Sequence, residues 1–201
     1  MADWDLTYRE GNWDYLASIA ETPRYAAVAG YVHKLVRHGC VLDAGCGEGL
    51  LVDYLDLGRL TYTGFDLSTT AIDRARKRYS GVTLFPCSLD EFAPANGEKY
   101  DIIVFNEVLT SIDRSHEILD RYFTFLAPSG HIVLSQFQNS NPTSNASIFT
   151  GTLEAEIAAG RYHVAARSQT LNCDTGFSWN VYCLDGSQRN GLPEKAGGAR
   201  P

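Results

Sequence analysis

The stretch Val41-Leu42-Asp43-Ala44-Gly45-Cys46-Gly47-Glu48-Gly49 constrains this chain more than any other. An apolar run, Cys40 to Leu42, ends in an acid, and three glycines follow at every second position. Behind them an apolar pattern, Leu50 to Leu57, predicts a helix over about 48–57 that Gly58 closes. The expected order is strand, tight loop, helix. Glycine reaches positive φ at little steric cost and leaves no Cβ between backbone and ligand. A helix start adds unpaired N–H groups and the positive end of a dipole. Asp43, at the mouth of the strand, can accept hydrogen bonds from a ligand amine or hydroxyl.

The rest of the chain repeats this alternation. Thr22-Pro23 predicts a helix start, with Thr22 as N-cap, and a helix over about 23–37 that Gly39 ends. A second strand, Thr61–Asp66, again runs into an acid; Ser68 then caps a helix over 69–79. Strands follow at about 82–85, 100–106 and 131–137, with a helix over 114–126 and a turn at Pro128-Ser129-Gly130. A short helix around 148–159 precedes two strand-like runs, 161–171 and 177–184, which form a hairpin. Alternating strands and helices imply right-handed βαβ units. The expected fold is therefore α/β: a doubly wound, mostly parallel, seven-stranded sheet with an antiparallel terminal hairpin. Residues 1–22, with Trp4, Tyr8, Trp13 and Tyr15 among acids, form an aromatic arm or lid. Residues 23–184 make the ligand-binding domain, and the glycine- and proline-bearing tail 185–201 is expected to be disordered.

Composition narrows the function. A chain of 201 residues supports one continuous core. A net charge of -7 weighs against a phosphate-backbone partner, so no nucleic acid is expected. The N-terminus lacks the basic and apolar segments of a secretion signal. No apolar run approaches the roughly 18–20 residues that span a bilayer. A cytoplasmic protein, monomer or homodimer and not membrane-bound, is the expectation. The five cysteines are odd in number and none are spaced C-x-x-C, so reduced thiols and no metal site are expected.

In a doubly wound sheet, ligands bind at the carboxyl ends of the strands. Asp43 and the glycines follow the first strand, Asp66 ends the second, Ser88 and Leu89 follow the third, and Asn106 and Glu107 follow the fourth. A carboxylate at the end of the second strand suits the two hydroxyls of an unphosphorylated ribose. A dinucleotide loop would need a third glycine where Leu50 stands, and no Lys-Ser/Thr follows for a triphosphate.

These segments resemble the class I S-adenosylmethionine-dependent methyltransferases. VLDAGCGEG is similar to that family's first motif, YTGFDLS (62–68) to its second, and Phe85-Pro-Cys-Ser-Leu-Asp90 stands at its third. YDIIVFNEVL (100–109) resembles the fourth, and LDRYFTFLAPSGHIVLSQF (119–137) the late helix–turn–strand motif, with Ser129 replacing a glycine. The small-molecule members look most similar, because the chain carries no added recognition domain. The resemblance implies S-adenosylmethionine as cofactor, S-adenosylhomocysteine as product and no metal. It implies that Gly45, Cys46 and Gly47 pass under the methionine portion, with Asp43 acting through the loop by hydrogen bonds that include its amine or a water. Asp66 would hold the ribose, Leu67 the adenine face, and Ser88 and the Leu89 N–H the adenine edge, with Asn106 near the methionine end. A small-molecule acceptor, biosynthetic or sugar-type, would take the methyl on O or N by in-line displacement, where alignment supplies much of the acceleration. Where the nucleophile must lose a proton, Glu107 and Tyr15 are the candidate catalytic groups, with Tyr8 and His33 behind them. Glu107 reads equally as a helix-start carboxylate, and His33 as a surface or core histidine. Gln136, Phe137 and Asn139 are placed to line the acceptor pocket, whereas Trp179 reads as core. The alternative is a non-catalytic cofactor-binding subunit that activates a partner enzyme.

Overall fold

The computed structural model describes residues 3–112, 114–172 and 176–188. Seven strands form one sheet: β1 (Gly39–Ala44), β2 (Leu60–Asp66), β3 (Thr83–Pro86), β4 (Tyr100–Asn106), β5 (Leu126–Phe137), β6 (His163–Leu171) and β7 (Ser178–Asp185). Their order is β3-β2-β1-β4-β5-β7-β6. The first five are parallel, and β7 lies antiparallel between β5 and β6. The doubly wound sheet and the terminal hairpin are as the sequence predicts.

Helices cover both faces, which is why the central strands are apolar throughout rather than alternating. In β4, Ile102 and Val104 pack with Val28 and Val32 of α2 (Thr22–Leu35) and Ile72 of α3 (Thr69–Arg78). Ile103 and Phe105 point the other way, into Leu119 and Tyr122 of α4 (Ser115–Phe123) and Leu153 of α5 (Asn145–Ala158). Ser68 caps α3 as expected, accepting from Ala71 N at 3.1 Å. The order of strands reverses between β1 and β4, so the crevice for a ligand opens where their carboxyl ends diverge.

The structure corrects four local expectations. The helix after the glycine loop is only a 3₁₀ segment, Leu50–Tyr54. Gly49 is left-handed at φ 73 and Leu55 is already extended, leaving five residues to coil before the turn into β2. A helix dipole therefore contributes little to this loop. Thr22 is not the cap of α2: Glu21 occupies that place, and the Thr22 hydroxyl meets Tyr54 Oη at 3.3 Å. The helix stops at Leu35, and Gly39 begins β1, where a Cβ would collide with the Asp101 carboxylate that accepts from Cys40 N. Pro128-Ser129-Gly130 is a bulge inside β5 rather than a turn before it: Tyr100 pairs with Leu126, but Ile102 pairs with His131.

The N-terminal arm is ordered. It forms α1 (Trp4–Arg9) and two 3₁₀ turns, Asp14–Ala17 and Ile19–Glu21. Asp5 fastens it to the start of α3, accepting from Ser68 Oγ (2.6 Å), Thr69 Oγ1 (2.9 Å) and Thr70 N (2.9 Å). These donors hold the Asp5 carboxyl below its ordinary range, the Ser68 hydroxyl most of all. Of the tail, Asp185 ends β7 and Gly186–Gln188 make one 3₁₀ turn; its expected disorder otherwise falls on 189–201, outside the described residues.

Candidate functional site

A cavity of about 890 Å³ opens at the carboxyl ends of β1, β2 and β4, under the N-terminal arm. All the residues singled out for the cofactor line it: Asp43, Gly45, Cys46, Gly47, Asp66, Leu67, Ser88, Leu89 and Asn106. So do Glu107, Tyr15 and Tyr8.

At the β1 end, Gly45, Gly47 and Gly49 all have positive φ (78, 55 and 73). The Gly45 and Cys46 N–H groups both donate to the Phe65 carbonyl at 2.9 Å, so the loop is tied to β2 by its backbone. A Cβ on Gly45 would lie 2.7 and 2.9 Å from the two γ-carbons of Val108, and one on Gly47 would lie 2.5 Å from Tyr8 Oη. Asp66 spans the crevice: Oδ2 accepts from Gly47 N and Oδ1 from Ser68 N, each at 2.9 Å. Burial raises its pKa, against the pull of those two N–H groups. One donor per oxygen leaves a further lone pair on each for a ligand.

Asp43 differs. It is buried, and Oδ2 accepts from Tyr62 Oη at 2.7 Å, while Oδ1 has no hydrogen-bond partner. Burial pushes its pKa up to about 7; the Tyr62 bond opposes this and the nearby Asp66 adds to it. A buried carboxylate oxygen without a donor is costly. A cationic or N–H-bearing ligand in the crevice would remove that cost.

At the β4 end the side-chain oxygens of Asn106 and Glu107 are all engaged. Glu107 is left-handed at φ 65, a conformation few non-glycine residues adopt. That turn aims its carboxylate across the sheet, where Oε1 accepts from Ser135 Oγ (2.8 Å) and Oε2 from Phe137 N (3.0 Å). Glu107 is thus not a helix-start carboxylate. Burial raises its pKa, and Arg24 and the two donors work against that rise. Asn106 Oδ1 accepts from Arg24 Nη1 and also receives the Ser135 hydroxyl at 2.7 Å, whose single proton it shares with Glu107. Arg24 closes the network: Nε and Nη2 donate to Glu21 Oε2 at 3.2 and 2.9 Å, and the guanidinium lies 4.4 Å from the Tyr25 ring centroid and 5.8 Å from that of Trp179.

Arg24, Glu21 and Ser135 escape a reading of motifs, yet two leave a signal. Arg24 extends the Val28–Val32 stripe of α2 at four-residue spacing, so a charged side chain falls on a core-facing row. Ser135 is the polar interruption of an apolar strand: its hydroxyl reaches Asn106 and Glu107, and Phe137, two residues on, lines the cavity. The same alternation takes Gln136 away: it is buried but off the cavity, donating to the Phe137 carbonyl at 3.3 Å. Asn139 also lies off the cavity, accepting from Asn141 N in a turn. His33 is on the surface, 3.1 Å from the Tyr54 carbonyl. Ser88 lines the cavity, but its hydroxyl donates to Glu91 Oε2 and accepts from Glu91 N. Trp179, expected in the core, is buried and also forms part of the cavity wall.

Two aromatic groups flank the opening. Trp4 stacks on Trp13 with centroids 6.3 Å apart, and Trp13 meets Tyr15 at 5.9 Å. Opposite, Phe137 meets Phe177 edge-on at 5.2 Å and Trp179 at 6.3 Å. Among the described residues no group of three or more His, Cys, Asp or Glu could hold a metal ion, and Cys40, Cys46, Cys87 and Cys183 are free thiols. No helix among them is long and apolar enough to cross a membrane.

A family model described as a methyltransferase domain matches residues 18–180. This chain belongs to that methyltransferase-domain family. The match begins at the second half of the arm and covers every cavity-lining segment of the sheet. Among curated relatives, the domain is 30% identical over 103 residues to a ubiquinone biosynthesis O-methyltransferase of Actinobacillus pleuropneumoniae, covering 47% of this chain and 44% of the relative. It is 27% identical over 107 residues to a trans-aconitate 2-methyltransferase of Paracidovorax citrulli, covering 52% and 41%. The aligned stretch thus spans less than half the length of these relatives. Among solved structures, the N-methyltransferase NodS of Bradyrhizobium japonicum superposes with a TM-score of 0.67 at 20% identity, covering 85% of this chain and 98% of that one. The 1,6-didemethyltoxoflavin-N1-methyltransferase of Burkholderia thailandensis gives 0.67 at 19%, covering 91% and 85%. At such identities the likeness is one of fold: the methyltransferase sheet with its antiparallel C-terminal strands.

Proposed function

We propose that this domain is an S-adenosylmethionine-dependent methyltransferase acting on a small-molecule acceptor by in-line transfer to O or N. One observation carries the reading: Asp43 Oδ1, a buried and unpartnered acceptor, stands at the head of a glycine loop with no room for a Cβ, in one cavity with Asp66. That arrangement fits a ligand with an ammonium at one end and a ribose at the other. Asp43 would take the ammonium, Gly45, Cys46 and Gly47 would pass beneath the chain that carries it, and Asp66 would accept from the ribose hydroxyls. Leu67, half exposed in the cavity, offers an apolar face to a base, and Ser88 and Leu89 lie on the same side. Asn106 reaches the same ligand with its backbone or amide N–H₂, since its Oδ1 is taken.

The bound cofactor supplies a methyl group already activated on sulfur. What remains for the protein is alignment and exclusion of water. Tyr8 covers Gly47, and burial, with Asp66 beside it, keeps its phenol neutral. The arm, fastened by Asp5, roofs the crevice. Glu107 and Tyr15 are the groups at hand for a proton, and the burial of each raises its pKa. The names of the relatives, which include O- and N-methyltransferases of small molecules, support this class of acceptor. The free thiols fit a reducing compartment such as the cytoplasm.

The test is calorimetric titration with S-adenosylhomocysteine, followed by transfer of labelled methyl from S-adenosylmethionine to a panel of small O- and N-nucleophiles. Saturable one-site binding with transfer to at least one acceptor is expected. No binding of S-adenosylhomocysteine would overturn the reading.

A further inference from the structure

The cavity as a whole has an unbalanced inventory of charge. Among the described lining residues, seven bear carboxyl groups and one, Arg24, bears a cation. Three of those acids are offset by arginines from outside the cavity, Glu48 and Asp14 by Arg74 at 2.8 and 3.9 Å and Asp90 by Arg114 at 3.0 Å. Arg24 itself is already committed on both edges of its guanidinium, Nε and Nη2 to Glu21 and Nη1 to Asn106. Its side chain is 2% exposed, and its faces meet Tyr25 and Trp179. Arg24 therefore offers no fork to a carboxylate or phosphate on an incoming molecule. Glu21 and Glu107 together outweigh it by one negative charge, and the Tyr15 phenol lies within electrostatic reach of all three. The wall also carries aromatic rings: Tyr15 on the arm, and Phe137, Phe177 and Trp179 on β5 and the hairpin.

Resting on the function proposed above, we infer that the acceptor is a cationic amine with a flat apolar body, seated among Tyr15, Phe137, Phe177 and Trp179 with its nitrogen toward Glu107. Among the described lining residues no uncommitted cation answers Glu21 and Glu107, so the protein wall disfavours an anionic acceptor. A cationic nitrogen gains from the carboxylates and from the aromatic faces. The step balances as follows in this site. The ammonium gives its proton to the Glu107 carboxylate, which keeps a lone pair on each oxygen beyond the bonds from Ser135 and Phe137 N. The freed nitrogen lone pair forms the N–C bond, the S–C bond breaks with its electron pair passing to sulfur, and the products are a methylated ammonium and neutral S-adenosylhomocysteine.

Three probes that share one flat body and differ in charge test this: tryptamine (cation), tryptophol (neutral) and indole-3-acetate (anion). Each is titrated into protein saturated with S-adenosylhomocysteine. Tryptamine is expected to bind at least threefold more tightly than tryptophol and at least tenfold more tightly than indole-3-acetate. In Glu107→Gln the preference for tryptamine over tryptophol should shrink toward unity. Should that variant not fold, raising salt from 50 to 500 mM on the wild-type protein should narrow the cation–anion gap instead. Equal or tighter binding of indole-3-acetate, or no binding of tryptamine to a protein that binds S-adenosylhomocysteine normally, overturns the acceptor class and leaves the cofactor reading intact. Failure to bind S-adenosylhomocysteine at all overturns both.

Discussion

Two buried carboxylates at the ends of neighbouring strands make opposite use of the same burial. Asp43, on β1, keeps one oxygen without a donor. Glu107, just after β4, has both oxygens engaged by Ser135 and Phe137 N. Each has its pKa raised by removal from water, yet only Asp43 leaves that loss uncompensated within the protein. An uncompensated buried acceptor marks a place where a ligand completes the structure, while a carboxylate with a donor on each oxygen is held in place without one. The β1 end is thus the part of the cavity shaped to be filled. The β4 end, with Arg24, Asn106 and Ser135, is a rigid rim that sets shape and charge.

If this division holds, changes at the β1 end should damage cofactor binding and spare the fold, and changes at the β4 end should cost stability and spare cofactor binding. The largest expected effect is Gly45→Val. The new Cβ meets two carbons of Val108, and φ 78 is hostile to a β-branched residue. Binding of S-adenosylhomocysteine should be lost in calorimetry, with near-native circular dichroism. Gly47→Val should be milder, because the group in its way is the hydroxyl at the far end of the Tyr8 side chain. Equal affinities of the Gly45 variant and the wild type would remove the basis for a cradle. Next in size, Asp66→Ala removes an acceptor that Gly47 N and Ser68 N share and that, on the proposed function, the ligand would use. Its affinity for S-adenosylhomocysteine should fall tenfold or more, roughly 1.5–3 kcal/mol for charge-assisted bonds.

Ser135→Ala probes the other side. It strips a donor from both Asn106 and Glu107 and leaves a buried carboxylate oxygen short of a partner. Urea denaturation should show a loss of about 1–3 kcal/mol. The affinity of the folded variant for S-adenosylhomocysteine should change by less than about threefold, a shift worth under about 0.7 kcal/mol. A large loss of cofactor affinity with unchanged stability would erase the distinction between the two ends.

The same contrast explains what the sequence discloses. The β1 end is built from residues close in the chain: Asp43, the glycines and, one βαβ unit on, Asp66 and Ser68. Strand-end acids, positive-φ glycines and an N-cap are local signals, so this end was legible. The doubly wound sheet was legible for a related reason, since runs such as Ile102–Phe105 must be covered on both faces. The β4 end is assembled from Glu21 and Arg24, Asn106 and Glu107, and Ser135 and Phe137, with hydrogen-bonded partners as far as 82 positions apart, Arg24 and Asn106. No local pattern reports that pairing, and α2 looks like an ordinary amphipathic helix. The helix expected after Gly49 failed for a local reason that composition hides: Leu50–Leu57 is apolar enough, but Leu55 is extended and a turn at Asp56–Arg59 carries the chain into β2. The bulge at 128–130 was misread because Pro and Gly signal a break without saying whether the strand resumes in the same sheet.

The most direct measurement of the unfilled carboxylate is the pH dependence of S-adenosylhomocysteine affinity in wild type and Asp43→Asn. With a pKa of about 7, Asp43 is largely protonated at pH 5.5 and ionised at pH 8. Only the ionised form attracts the ligand's ammonium, so binding expels a proton below pH 7 and strengthens as pH rises through 7. The raised pKa also means that, for the unliganded protein, the Asp43 contribution to folding stability falls between about pH 4 and pH 7, where the folded state holds a proton that the unfolded state has lost. The account predicts wild-type affinity rising on the order of tenfold between pH 5.5 and pH 8, and a flat, weaker profile for Asp43→Asn. Wild-type affinity independent of pH, or an Asn variant that binds as tightly as wild type at pH 8, would contradict it.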